Sequence, residues 1–257
     1  MLTYFFRAIF RPAARNASSG FLRSLFRLPV VFDVVSTTLQ LRDLHKINRL
    51  KAEGLRHQDN HFDKVTKYNL GVTVGKKISR TRRVEEYYEI ITIPRRNISS
   101  EKLLIIGPRN IQEIFIAWTF GFSWANISGI DLYSTNPKII EMNMEEMFFP
   151  NNSFDSITMA NTLSYANSTR KALAEVARVL KPGGRFAFSA TYDPNDIWKE
   201  DSISGEVIKK YLDEFNLQVY VHYSKDKINS FGRRQTSHTF AVEKKSSEEI
   251  KFDTFHL

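Results

Sequence analysis

Apolar residues follow a helical period through the first third of the chain and fall into short blocks beyond it, with the change near residue 100. Leu2, Phe5, Phe6, Ile9 and Phe10 share one helical face, and Pro12 closes that pattern because its ring and missing N–H oppose another turn. Phe21, Leu22, Leu25 and Phe26 predict a second helix after the Ser18-Ser19-Gly20 break, ending near Pro29. Residues 36–67 read as helix, with an incomplete stripe of Leu39, Leu41, Leu44, Ile47 and Leu50. Around Gly71 to Gly75 and along Lys76 to Arg83 a loop or hairpin with a basic face is expected. The Tyr- and Ile-rich stretch Glu85 to Ile93 reads as a strand leading through Pro94.

From residue 101 apolar strands alternate with amphipathic helices, the pattern of an α/β unit with a largely parallel sheet. Strands are predicted at Leu103–Ile106, Ile127–Leu132, Lys138–Met142, Ser156–Ala160, Arg185–Ser189, Gln218–Tyr223 and His238–Glu243. Helices are predicted at Ile111–Phe120, Ser168–Leu180 and Gly205–Phe215, the second stopped by Lys181-Pro182-Gly183-Gly184. The fold class is therefore α/β, a Rossmann-like, doubly wound and mostly parallel seven-stranded sheet with a basic helical N-terminal extension. The expected divisions are 1–95 for the extension, 96–245 for the α/β domain and 246–257 for a tail.

Charge sharpens that division. Residues 1–100 hold 19 Lys and Arg against 8 Asp and Glu, a balance of +11, which leaves −2 for the rest of a chain whose net charge is +9. The first acidic residue is Asp33, preceded by Arg7, Arg11, Arg15, Arg23 and Arg27. Such a segment invites a polyanion. Three accounts stay open for it: helices packing onto the main domain, an interfacial anchor on an anionic membrane surface through residues 1–30, or an organellar presequence. A secretory signal fits poorly, since arginines interrupt every apolar stretch. The chain has no cysteine, which excludes disulfides, thiolate zinc sites and a cysteine nucleophile and suits a reducing, cytoplasmic setting. His57, Asp59, His61 and Asp63 alternate as potential ligands, but the two Asp residues leave the helix face that the His pair shares, and no metal is expected.

In an open parallel sheet a ligand lies beyond the carboxyl ends of the strands, where the strand order reverses. The first strand runs into Gly107-Pro108-Arg109-Asn110, with Asn110 placed to cap the next helix and Glu113 to complete a capping box. A glycine there permits close backbone approach, and the helix that follows offers free N–H groups to an anionic group. Asp131 ends the second strand, where a carboxylate can accept both hydroxyls of a ribose.

Residues 141–155, EMNMEEMFFPNNSFD, and 161–184, NTLSYANSTRKALAEVARVLKPGG, resemble segments of class I S-adenosylmethionine-dependent methyltransferases, in the small-molecule, methyltransferase type 11-like branch. The resemblance covers about 101–192 and extends more loosely to 245. It implies that Gly107, Pro108 and Arg109 line the methionine part of S-adenosylmethionine, and that Asp131 binds the ribose and Leu132 borders the adenine. It also implies that Asn143 and Met144 meet the adenine edge and face, and that Asn161 lies beside the sulfonium. For Met144 and Leu132 simple core packing is the alternative, and for Asn161 a turn.

Three departures from the family pattern stand out. One glycine, followed by Pro108 and Arg109, replaces the usual glycine-rich loop, so Arg109 is expected to meet the cofactor's carboxylate by a charge-assisted bond. Asn143 replaces an acid. Only twelve residues separate Asp131 from Asn143, which leaves no room for a helix between the second and third strands, so the adenine side is open or covered by the N-terminal hundred residues.

Methyl transfer is an in-line displacement that needs alignment and desolvation more than a reactive side chain, and no catalytic residue is assigned. Tyr165, Tyr192, Asp193 and His222 are candidates for orienting an acceptor. Asn161-Thr162-Leu163-Ser164 stands where amino-group DNA methyltransferases carry an acidic-Pro-Pro-aromatic tetrapeptide, and a nucleic-acid partner is not expected. The expected function is methyl transfer to a small-molecule, lipid or glycan acceptor. The competing expectation is a non-catalytic methyltransferase-like domain that binds cofactor or a partner.

Overall fold

A strand that is apolar at every position has both faces covered, and Leu103–Ile106 (β1), fully buried, lies in the interior of the sheet. A computed structural model describes residues 19–52, 82–93, 98–134, 136–193, 203–228 and 232–246. The His57 to Asp63 quartet, the loop or hairpin up to residue 81, the first predicted helix and the tail after 246 lie outside the described residues. The strands beside β1 are Ile127–Asp131 (β2), Ile139–Glu141 (β3), Phe154–Met159 (β4), Leu180–Tyr192 (β5), Leu217–Ile228 (β6) and Arg234–Lys244 (β7). They form a seven-stranded sheet in the order β3-β2-β1-β4-β5-β7-β6. All neighbours from β3 to β5 are parallel, and β7 runs antiparallel to both β5 and β6. The chain builds outward from β1 to β3 and then returns to β4, so the switch point lies between β1 and β4.

Helices Thr169–Val179 (α5) and Gly205–Glu214 (α6) cover one face, burying Leu173, Val176, Ile208 and Leu212 against Leu104, Ile106, Phe186 and Phe188. The opposite face carries Ile111–Thr119 (α4) together with Ser19–Arg27 (α1), Pro29–Ala52 (α2) and Arg82–Thr92 (α3). Phe26 sets its ring edge-on to Phe115 and Trp118, 5.6 and 5.5 Å between centroids, and Phe32 lies 5.5 Å from Phe115. Arg27 donates from Nε to the Thr119 carbonyl at 3.1 Å and Arg23 from Nη2 to Phe122 O at 3.4 Å. Arg27 thereby meets the carbonyl that ends α4, where the helix dipole is negative, and Arg23 the chain just beyond it.

The expected strand at Glu85 to Ile93 is a helix. Val84, Tyr87, Tyr88 and Ile91 recur at i, i+3, i+4 and i+7 and are all buried, so the period outweighs a composition rich in β-formers. Tyr87 donates to Ser189 Oγ at 2.7 Å, fastening α3 to β5. No helix intervenes between β2 and β3, as the twelve-residue spacing predicts. The expected break at Lys181 to Gly184 is a shift within β5: the register passes from Phe154 opposite Leu180 to Ser156 opposite Arg185. Gly183, at φ 69°, sits inside that bulge.

The two family-like stretches grip each other. Arg178 on α5 donates to both oxygens of Glu175 at 2.6 and 2.8 Å, to Met147 O at 2.6 Å, to Phe149 O at 2.7 Å and to Asn151 Oδ1 at 3.0 Å. Met147 N–H donates back to Glu175 at 2.6 Å, and Asn152 and Ser153 N–H bond the carbonyls of Arg178 and Val179. The Phe-Pro-Asn-Asn-Ser-Phe-Asp run is the far half of a clamp on the Arg-Val-Leu-Lys-Pro-Gly-Gly run.

Candidate functional site

Four strands end side by side at the switch point, and each hands its next residues to the same edge. After β1, Gly107 takes φ 71° and donates its N–H to Ile130 O on β2 at 2.8 Å. Pro108 is buried, and its ring occupies the space beside Gly129, where an added Cβ would come within 2.9 Å of Pro108 Cγ. The lost glycines of the loop are matched by a glycine on the neighbouring strand. Arg109 adopts φ 44°, a left-handed conformation that costs a non-glycine residue about 1–2 kcal/mol. Its N–H donates to Asp131 Oδ2 at 3.2 Å, and Leu132 N–H donates to Asp131 Oδ1 at 2.7 Å.

Desolvation pushes the Asp131 carboxyl up to about 6, against the pull of the two N–H donors and of the Arg109 charge. The N-cap of α4 forms through Asn110 Oδ1, which accepts from Gln112 N–H at 2.9 Å, one residue earlier than the Asn110 and Glu113 box anticipates. Asn143, past β3, accepts from Glu145 N–H at 3.0 Å through its amide oxygen and is half-buried. Met144 is 8% exposed and joins the core formed with Ile106, Met159 and Leu163. Leu132 is half-buried beside Asp131.

After β4, Asn161 is left-handed at φ 59° and its amide oxygen accepts from the Thr191 hydroxyl at 2.8 Å. Thr191 N–H donates to Ser164 Oγ at 3.0 Å, and Lys227 Nζ donates to Thr191 Oγ1 at 3.2 Å. The ends of β4, β5 and β6 are thus joined through Thr191, a residue that sequence reasoning passes over; only its strand-end position marks it. Thr162 was passed over as well. A Cβ on Gly107 would fall 2.2 Å from Thr162 Oγ1, so the close approach that requires this glycine is that of Thr162. Gly107 thus meets two constraints within the protein itself, its positive φ and the Thr162 side chain.

The acceptor candidates separate. Tyr165 lies in the turn after β4, Tyr192 packs against the core at the end of β5, and Asp193 accepts from Gln235 Nε2 at 3.0 Å. His222 stands apart from the strand ends, opposite Phe240 in the sheet, its ring stacked on that phenylalanine at 4.2 Å and its Nε2 3.5 Å from His238 Nδ1. Burial and the Lys209 charge hold both imidazoles below their ordinary range.

Residues 124–188 match a family model described as a methyltransferase domain. Two curated relatives are ubiquinone/menaquinone biosynthesis C-methyltransferases, 49% identical over 51 residues in Brucella canis and 50% identical over 50 residues in Psychromonas ingrahamii. The match covers 20% of this chain in each case, and the chain spans about a fifth of the length of these relatives, 19% and 20%. Among solved structures, Phospholethanolamine N-methyltransferase 2 of Haemonchus contortus, in complex with phosphomonomethylethanolamine and S-adenosylhomocysteine, is 14% identical with a TM-score of 0.54, over 72% of this chain and 59% of that one. A Galdieria sulphuraria protein assigned as a sarcosine dimethylglycine methyltransferase is 15% identical with a TM-score of 0.50, over 64% of this chain and 86% of that one. The strand order and the likeness to these structures show the Rossmann-like fold that such methyltransferases have, and residues 124–188 carry the sequence match to the methyltransferase domain.

Proposed function

We propose that the chain transfers a methyl group from S-adenosylmethionine to a small-molecule, lipid or saccharide acceptor. The observation that carries this reading is Asp131, a carboxylate at the end of β2 with one backbone N–H on each oxygen. An ionised carboxyl offers about four acceptor positions, so two remain for the paired hydroxyls of a ribose, and desolvation favours a ligand that supplies such donors. The residues therefore fit the nucleoside. In this reading Leu132 and Asn143 border the base, Asn143 through its NH2, while Met144 supports that wall from the core. The loop 107–109 lies along the amino-acid end, with Arg109 as its cation.

The sulfonium of the bound cofactor supplies an activated methyl group and a neutral leaving group. The protein's part is to orient and to exclude water: the Asn161–Thr191–Lys227 chain fixes the ends of β4, β5 and β6 around the place where an acceptor would enter. No base is assigned. The competing reading, cofactor binding without turnover, draws on one observation, the Thr162 side chain packed over the single glycine of the loop. Purified protein incubated with methyl-labelled S-adenosylmethionine and with lipid, glycan and water-soluble extracts separates the two. Label in one fraction is the expected result; measurable cofactor affinity with no label in any fraction favours binding alone.

A further inference from the structure

The first described helix, α1, has two apolar faces. Phe26 enters the core, flanked by Arg23 and Arg27, which bond Phe122 O and Thr119 O and set their guanidinium groups over the rings of Trp118 and Phe120 at 5.7 and 4.7 Å. The second face points outward at helical spacing: Phe21 is 75% exposed, and Leu25 and, just past the helix, Leu28 follow it at i+4 and i+7. Helix α2 repeats the arrangement, with Phe32 and Ser36 buried and Val30, 75% exposed, followed by Val34 and Leu41 on the outside. Apolar residues ring the N-terminal half of α2, and among the described residues only one side of it packs on the core. Isolated exposed leucines are ordinary, but two consecutive helices that each expose an apolar stripe among the described residues present more apolar surface than monomers usually do.

We propose that this outer face of α1 and α2 docks on an anionic phospholipid bilayer, lying in the interface rather than crossing it. Charge complementarity selects that occupant. Residues 1–32 contain no acidic residue, and beside Arg23 and Arg27, which the packed side engages, Arg7, Arg11 and Arg15 stand in the sequence just ahead of α1 among Leu2, Phe5, Phe6, Ile9 and Phe10. Asp33 is the one acidic side chain on the exposed part of α1 and the first turns of α2. No helix among the described residues is long and apolar enough to cross a membrane. Exposed apolar side chains with basic neighbours are the composition of helices that lie in the headgroup region, where acyl contact and anionic lipid act together.

The test is co-sedimentation of the full chain with phosphatidylcholine vesicles made with and without phosphatidylglycerol, beside a variant carrying Phe21→Gln, Val30→Gln and Val34→Gln. These three side chains are exposed and outside the core, so the thermal unfolding profile and S-adenosylmethionine affinity of the variant are expected to match the parent. Those two readouts also keep this proposal separable from the methyl-transfer reading. The parent is expected to sediment with the phosphatidylglycerol vesicles and the variant to bind them at least about tenfold less, given the apolar area removed. Equal sedimentation of parent and variant overturns the proposal, as does equal binding to vesicles lacking phosphatidylglycerol. So does a parent that binds neither vesicle but forms a dimer that the variant loses, which would make the surface a contact between copies of this chain.

Discussion

The two faces of the sheet are covered by different means. On one, α5 follows β4 and α6 follows β5, so each helix lies where a strand-to-strand crossover must put it. On the other, only α4 is a crossover between parallel strands; the β2–β3 connection has no helix, and α1, α2 and α3 arrive from ahead of the first strand. Crossover geometry leaves a chain little choice, because a parallel pair needs a long return and the return packs on the sheet. Helices from outside the alternation are placed chiefly by burial, through Phe26, Phe32, Tyr87 and Tyr88, with hydrogen bonds such as Tyr87 to Ser189 and Arg27 to Thr119 fixing their seats.

The most direct way to break this comparison is to remove Phe32. If α2 belongs to the core of the domain, Phe32→Ala lowers stability by about 3–5 kcal/mol, comparable with Leu173→Ala on the opposite face. Urea unfolding followed by tryptophan fluorescence reads both, and a silent Phe32→Ala would detach the N-terminal helices from the fold. Next in size is Gly107→Ala, which combines a strained φ with collision against Thr162 and is expected to cost about 2 kcal/mol. Adding Thr162→Ala should return part of that loss, and additive effects would show that the two residues do not meet.

A smaller effect is expected at the clamp on the crossover side. Arg178→Ala removes charge-assisted bonds to Glu175 and to the carbonyls of Met147 and Phe149, at a cost of about 2 kcal/mol by chemical unfolding. The Arg178 hydrogen bond is the main cause that holds the Glu175 carboxyl below its ordinary range. A depressed acid contributes stability above its unfolded pKa and loses it as pH falls through its folded one. The parent should therefore lose stability on acidification more steeply than Arg178→Ala, and parallel acid limbs would remove Glu175 from the account.

The contrast also explains what the sequence made legible. All seven strands and the helices α4, α5 and α6 followed from period and breakers, since crossover units encode position and conformation together. For α3, Tyr and Ile suggested a strand, while Val84, Tyr87, Tyr88 and Ile91 carried the helical period that decides. At the site, Gly107 and Asp131 were visible because strand ends at a switch point are fixed by topology. Thr162 and Thr191 were not, because their contacts with Gly107 and Asn161 join strand ends far apart in sequence. The segments that carry the family resemblance hold Arg178 and its partners, which brace the fold, as well as the site candidates Asn143, Met144 and Asn161, so the likeness reports architecture along with the site.

Asp131 is the point on which the functional account turns, and it has two signatures. Its raised pKa makes the unliganded protein lose stability as pH rises from about 4 to about 6, because the folded state holds the proton that the unfolded state releases. A ligand whose hydroxyls donate to the ionised form works the other way, binding best above about 6 and weakening below it. The measurement is titration calorimetry of S-adenosylmethionine into the full chain and into Asp131→Ala, at pH values on either side of 6. The account predicts binding to the parent that weakens in acid, and at least about tenfold weaker binding to Asp131→Ala, from two lost hydrogen bonds to a charged acceptor. No binding to the parent, or the same affinity with and without the carboxylate, would contradict it.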